Sequence, residues 1–345
     1  MNPAELSRIE RKNLPMRILD GLAATIWFIA RILVHGWATL AIYFSPIPWE
    51  WLRIALAAGF LAFGIWALWI ARARRVRVAY GVVFLVVLGA WSLVLPSHDR
   101  LWRPDVAVMP RAFIDGDTVR ITGVRNFDYR TRDDFTIRYD ERVVSLSHLV
   151  ALDFYVSFWM QGPIGHTFVS FVFDNAPPIS ISIETRPEKG EGYSPIASLF
   201  KQYELIYVVG DERDLVRLRT NFRDEEVYLY RIRTSPENAR QLFLVYLQRV
   251  NELADHPEFY HLLSNSCTVN IVRYANLAGR TGGMDIRHFL NGWIDRYFYD
   301  REFIDIRLPF DELRRRSDIT KAAQAAGAGE DFPQRIRKGL PTMPP

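Results

Sequence analysis

The chain has one cysteine in 345 residues, which excludes an internal disulfide framework and a zinc site built from cysteine pairs. No P-loop, EF-hand loop or dinucleotide-binding glycine pattern occurs, and no Cys/His spacing suits zinc, so neither a cofactor nor a metal is expected. No internal repeat is present. A basic footprint is also missing where it would matter. Residues 1–95 carry ten Lys/Arg against four Asp/Glu, which leaves 33 basic and 35 acidic residues for 96–345. The high isoelectric point therefore reflects the N-terminal part, and no nucleic-acid partner is expected for the rest.

That N-terminal part holds three long apolar runs, 18–44, 51–71 and 78–95. At 1.5 Å rise per residue, each is long enough to cross a hydrocarbon core of ~30 Å. The first is too long, and with Arg31 and His35 too polar, for the short apolar core of a signal peptide. Arg8, Arg11, Lys12 and Arg17 precede it, and Arg72, Arg74, Arg75 and Arg77 stand between the second and third runs. Both clusters belong on the cytoplasmic side, which puts the connector 45–50, free of Lys and Arg, and everything after residue 96 outside. The expected arrangement is multi-pass, with a cytoplasmic N-terminus and the domain after residue 96 outside. Arg31 and His35 are four residues apart and share a helix face. They form either an intramembrane polar contact or a pair whose arginine reaches a neighbouring helix or headgroup.

Residues 96–110 read as a linker. From 111 to about 233, short runs rich in Val, Ile, Phe and Tyr alternate with turn signals, which predicts strands at 117–121, 167–173, 179–185, 204–209 and 226–232. Asp174-Asn175-Ala176-Pro177-Pro178 reads as the hairpin turn joining the second and third of these. Ser235-Pro236-Glu237 opens a helix whose apolar face recurs at helical spacing until Pro257, and another helix begins near Cys267 and runs to about Leu277. The domain proper is taken as 111–317, and the Ala-, Gly- and Pro-rich stretch 318–345 is expected to be loosely ordered.

Cys267 stands in Ser264-Asn265-Ser266-Cys267-Thr268 at a helix start. Unpaired N–H groups there stabilise a thiolate and can hold an oxyanion, so a nucleophile is one reading. The plain alternative is a small buried apolar side chain. A thiol nucleophile needs a base. Of His98, His148, His166, His256, His261 and His288, His166 is preferred because it opens the strand 167–173 and a rigid element can present it. His261, six residues before Cys267, comes second, and His256 at a helix exit is expected to bind a carbonyl. Glu184, on the strand that returns from the hairpin, is the candidate to orient the imidazole. Its alternative is an ion pair with Arg186 or Arg213. The clusters Lys189-Gly190-Glu191 and Asp211-Glu212-Arg213-Asp214 read as structural.

The blocks His166-Thr167-Phe168-Val169-Ser170-Phe171, Ile181-Ser182-Ile183-Glu184-Thr185-Arg186, Lys189-Gly190-Glu191, the run 203–214 and Asn265-Ser266-Cys267-Thr268 together resemble the Lnb N-terminal periplasmic domain family, over roughly 115–300. The resemblance implies an α+β, permuted papain-like domain, an antiparallel sheet with packed helices, in which histidine precedes cysteine as in NlpC-type and lecithin retinol acyltransferase-like enzymes. It also implies a Cys-His mechanism through a thioester, with Cys267 at the nucleophile's position and His166 at the base's. Within that family the acyl group passes to the N-terminal amine of bacterial lipoproteins, so membrane lipid and lipoprotein are the expected partners. Here the three spans precede the domain, whereas in the family they follow it, which leaves the acceptor open. The alternatives are a papain-like peptidase or amidase acting on cell-wall peptides and a non-catalytic envelope scaffold with an inert Cys267.

Overall fold

A computed structural model of the chain describes residues 3–160, 162–279 and 282–341. They fall into two units, Met1–Leu95 and Pro96–Pro345.

The first unit is three helices, α1 (Pro3–Tyr43), α2 (Glu50–Ile65) and α3 (Arg74–Ser92), with a π-helical turn at Trp66–Ile70 prolonging α2. Three stretches are long and apolar enough to cross a membrane: Ile18–Tyr43, Glu50–Ile70 and Arg74–Ser92. Their large apolar side chains, among them Trp27, Ile29, Leu85 and Val86, point outward, the inverse of a water-soluble bundle and the arrangement hydrocarbon requires. The third stretch starts earlier than the apolar run predicts, because Arg74, Arg75 and Arg77 lie in the first turns of α3 rather than in a loop. His35 and Arg31 part company. The His35 ring is buried, with Nδ1 3.2 Å from the Tyr80 hydroxyl and Nε2 3.2 Å from the Leu61 carbonyl, whereas Arg31 is exposed. Gly64 makes room for that ring, since a Cβ there would meet it at 2.1 Å.

The second unit is built on strands β1 (Arg111–Asp115), β2 (Thr118–Arg125), β3 (Asp128–Tyr129), β4 (Phe135–Thr136), β5 (Tyr139–Ser145), β6 (Leu149–Phe158), β7 (His166–Phe173), β8 (Ile179–Arg186) and β9 (Glu204–Asp211). Helix α4 (Glu212–Arg217) and strand β10 (Glu226–Arg231) follow, then α5 (Pro236–Asp255), α6 (Cys267–Leu277), α7 (Ile294–Asp300), α8 (Phe310–Ser317), α9 (Thr320–Ala326) and α10 (Phe332–Ile336). The main sheet runs β1-β2-β9-β8-β7-β6-β10, with β5 also on β2, while β3 and β4 form a separate ribbon. Pairing is antiparallel except where β2 meets β9 in parallel at Arg125 and Gly210, so the sheet is mixed rather than antiparallel throughout.

Helix α5 starts as its sequence dictates: Ser235 accepts a bond from the Asn238 N–H, Pro236 occupies the first turn, and the buried stripe runs from Ala239 to Leu253. That stripe covers the Phe171 side of β7, where Phe171 meets Phe243 at 4.6 Å and Tyr246 at 5.6 Å between ring centroids. The opposite face carries Phe168, stacked 4.4 Å from Tyr155.

Two expectations about chain segments need correcting. The stretch 318–341 is ordered and packed: Ile319, Ala323, Ala326, Phe332 and Ile336 complete the core around Tyr155 and Phe168. Its alanines are the small apolar stripe of a helix that fits closely against the sheet, so their abundance signals packing here rather than low complexity. Arg337 fixes this tail by pairing with the buried carboxylates Asp153 and Glu212, at 2.9 and 2.6 Å. The segment 96–110, read as a linker, is also strapped down. Arg100 pairs with Glu204 at 2.9 Å, and Trp102 lies 4.2 Å under the Arg186 guanidinium.

Candidate active site

The loop that delivers Cys267 is held by its own polar groups. The Leu205 N–H donates to the Glu258 carbonyl at 2.8 Å and the Tyr260 N–H to the Tyr203 carbonyl at 3.0 Å. The Asn265 amide donates to the Phe259 carbonyl at 2.9 Å and to Glu258 at 3.1 Å, while its oxygen accepts from Asn270 at 2.8 Å. Helix α6 then starts at Cys267 itself. Ser266 occupies the N-cap position, and its side chain makes no capping bond. No serine oxygen therefore competes for the first-turn N–H groups, of which that of Cys267 meets the Tyr260 hydroxyl.

Cys267 is buried, 4% exposed, and α6 rests against β7 so that the Thr268 and Thr167 hydroxyls meet at 2.9 Å. Asn291, from the turn before α7, closes the third side. Its Nδ2 lies 3.0 Å from Thr268 Oγ1 and 3.7 Å from the Cys267 sulfur, and its Oδ1 accepts from the Gly165 N–H at 2.8 Å. The neighbouring Gly292 permits this approach, because a Cβ there would fall 2.5 Å from the Gly162 carbonyl oxygen. Tyr260 also reaches Cys267: burial first, then the Cys267 charge, pushes its phenol well above the usual range.

His166 is the group that acts most strongly against burial on the thiol, lowering its pKa. One of its ring nitrogens is engaged in turn: Nε2 lies 2.7 Å from Ser182 Oγ, and Ser182 donates to Glu184 Oε1 at 2.7 Å. Arg219 closes the series with a 2.8 Å bond to the same carboxylate oxygen. Strand register explains the assembly. Phe168 faces Ser182 across the β7–β8 pair, so with side chains alternating every residue, His166, Ser182 and Glu184 emerge on one face. His166 Nε2 and Glu184 are 3.9 Å apart, too far for a direct bond, and the carboxylate acts on the imidazole through Ser182. A hydroxyl that spends its one proton on Glu184 can only accept from Nε2–H. That fixes the tautomer and leaves Nδ1 for the sulfur.

The electrostatics follow the geometry. Burial pushes the Cys267 thiol up, but the hydrogen bond and charge of His166, with contributions from Thr167, outweigh it and bring the thiol down to about 6. Burial likewise pushes the Glu184 carboxyl up, and Arg219 followed by His166 hold it well below the usual carboxylate range. Tyr193 is pushed up to about 12 by burial and then by the Cys267 charge.

The three residues singled out from the sequence, Cys267, His166 and Glu184, are brought together, and the ion partner of Glu184 is Arg219 rather than Arg186 or Arg213. The other histidines lie elsewhere. His261 bonds Ser264 at 3.0 Å, His98 bonds the Leu253 carbonyl at 2.8 Å, and His148 pairs with Asp174 at 2.6 Å. His256 bonds the Glu252 carbonyl through its backbone N–H, and His288 is buried in a capping box with Asp285. The charged cluster after β9 is structural: Asp211 caps α4, and Asp214 pairs with buried Arg125 at 2.9 Å. Ser182, Asn291, Tyr260 and Arg219 escaped the sequence reading. Only Ser182 left a signal there, two residues from Glu184 on the same strand face.

Neither the curated proteins nor the solved structures provide a match for this chain. The family model of the Lnb N-terminal periplasmic domain does match, over residues 135–292, a span that holds Cys267, His166, Ser182, Glu184 and Asn291. With three helices able to cross a membrane ahead of that segment, this is a membrane protein whose outer unit carries a periplasmic domain of the Lnb N-terminal family.

Proposed function

We propose that the chain is a membrane-anchored periplasmic acyltransferase of permuted papain-like type, with a cytoplasmic N-terminus and three crossings. The observation that carries this reading is the buried Cys267 thiol drawn down to about 6 by His166, whose ring is oriented by Ser182 and Glu184. The Cys267 thiolate attacks the acyl carbonyl of a lipid ester, while first-turn N–H groups of α6 and the Asn291 amide stabilise the oxyanion. Collapse breaks the C–O bond, and the departing alcohol takes the proton that His166 holds, leaving a thioester. An amine, such as a lipoprotein N-terminus, then attacks the thioester. His166 takes the amine proton, the C–S bond breaks, and the thiolate and imidazolium are restored.

A lipid acyl group fits the surroundings better than a peptide does. A small pocket of about 70 Å³ lies beside α6, with Val169, Leu242, Ile271, Val272, Ala275 and Phe298 among its walls, and neither Cys267 nor His166 lines it. Ile271 follows Cys267 by one helical turn. Apart from Thr234, Asn238, Asn276 and Tyr297, these walls offer a peptide backbone few hydrogen-bond partners, whereas an alkyl chain needs none. The test is intact mass spectrometry of the detergent-purified protein incubated with phospholipid. A hydroxylamine-sensitive acyl adduct on Cys267, lost in Cys267→Ser and in His166→Ala, is expected. No adduct on a thiol shown to be alkylatable would overturn the acyl mechanism.

A further inference from the structure

The mouth of the site is ringed by apolar side chains turned toward solvent. Trp159, Met160 and Ile164 precede His166, Tyr193 and Ile196 follow β8, and Trp293 follows Asn291; all are between 36% and 65% exposed. Leu263, four residues before Cys267, is exposed as well. Contacts tie these loops into one rim. The Trp159 and Tyr193 rings lie 6.5 Å apart, Tyr193 feels the Cys267 charge, and the Gly292 N–H bonds the Pro163 carbonyl at 2.9 Å.

Charge is absent from the stretches that carry these side chains, although Lys189, Glu191 and Lys201 flank the one with Tyr193, and Asp285 and Arg287 precede the one with Trp293. No Asp, Glu, Lys or Arg occurs in 154–173, 192–200, 259–272 or 288–294, in a chain where 24% of residues are charged. Isolated exposed apolar residues are ordinary, but a cluster drawn from four separate loops and stripped of charge marks an interaction surface. Two observations favour a bilayer over a protein. Tryptophan and tyrosine beside aliphatic residues match the boundary between headgroups and acyl chains, where an amphipathic ring satisfies both sides, whereas a protein interface carries a polar rim around its apolar centre. The chain itself supplies the bilayer, because its membrane-capable helices end at Ser92 and the outer unit starts at Pro96.

We infer that this rim docks on the lipid surface, immersing Trp159, Ile196 and Leu263 at the headgroup–acyl boundary so that the thiol meets an ester at its own depth. The inference rests on the acyltransferase reading only for its purpose, since docking requires no chemistry. The test uses the full chain as Cys267→Ser in lipid nanodiscs of phosphatidylethanolamine and phosphatidylglycerol. Trp159→Cys, Ile196→Cys and Leu263→Cys are each labelled with an environment-sensitive nitrobenzoxadiazole dye. Asp174→Cys, past the far end of β7 and roughly 26 Å along the strand from His166, is the control. Rim labels should shift to the blue and lose emission when lipids carry a shallow nitroxide, with the control unchanged. Rim labels that behave like the control, as they would if the rim served a protein partner, overturn the proposal. Insertion without any acyl adduct on wild-type Cys267 would refute the acyltransferase reading alone, and an adduct with water-exposed rim labels would refute the docking alone.

Discussion

Replacing His166 by alanine removes the hydrogen bond and the charge that lower the Cys267 pKa, and leaves burial, which raises it. The thiol should therefore move from about 6 to the ordinary ~8.5 or above. At pH 7 the thiolate fraction then falls from about 90% to about 3%, a roughly 30-fold loss. A fixed-pH rate would hide most of it. The less acidic thiolate is intrinsically more reactive, by about 10- to 18-fold for a shift of ~2.5 units and a Brønsted slope of ~0.4–0.5, so the net loss at pH 7 is only about two- to threefold. The midpoint of the rate against pH is the sharper measure. Since the chain has one cysteine, intact mass after brief iodoacetamide treatment reports Cys267 alone. Wild type should show a midpoint near 6, with His166→Ala displaced by roughly 2.5 units or more and approaching wild type only at alkaline pH. A wild-type midpoint in the ordinary thiol range, or an unchanged midpoint in the variant, would refute the account of how the thiol is activated.

Two further outcomes follow from buried contacts. Arg219→Met removes the strongest opposition to the burial of Glu184, so its carboxyl pKa should rise. Because the wild-type carboxyl is held below its ordinary value, its stabilisation is present above about pH 4.3 and fades as pH falls through the folded value. The variant's deficit, about 3–5 kcal/mol at neutral pH for a broken buried pair, should shrink on acidification, and a pH-independent deficit in thermal unfolding would count against this account. In the helical anchor, Gly64→Ala puts a Cβ at 2.1 Å from the His35 ring and should cost about 1–3 kcal/mol by overpacking. Unfolding in detergent should show the cost fall in the His35→Ala background; equal cost in both backgrounds would mean that the two residues do not compete for space.

The legible parts of this chain were those whose signals are local. Apolar length marked the three spans, Ser235 and Pro236 marked α5, and the Pro177-Pro178 turn marked the β7–β8 hairpin. From that hairpin the meeting of His166 with Glu184 could be reasoned, since both strands share one register. The rest depended on contacts between distant segments. Asn291 reaches Gly165 across 126 positions, and no periodicity encodes that approach. Arg219 belongs to a π-helical turn after α4, where side-chain direction does not follow a simple period. The tail misled for a related reason: alanine and glycine in sequence cannot distinguish a loose segment from a helix of small residues fitted against Tyr155 and Phe168.

The span between Thr167 and Thr268 also carries a consequence in time. Their contact joins residues 101 positions apart, and closing so long a loop comes late in folding, after local hairpins and helices have formed. Until then the sulfur of Cys267 has neither His166 beside it nor its cover. In an oxidising compartment that interval is a hazard, and with no second cysteine in the chain any disulfide formed must join another molecule. Arrival of β7 against α6 ends the hazard, because the contact that supplies His166 and raises the reactivity of the thiol also withdraws it from bulk solvent.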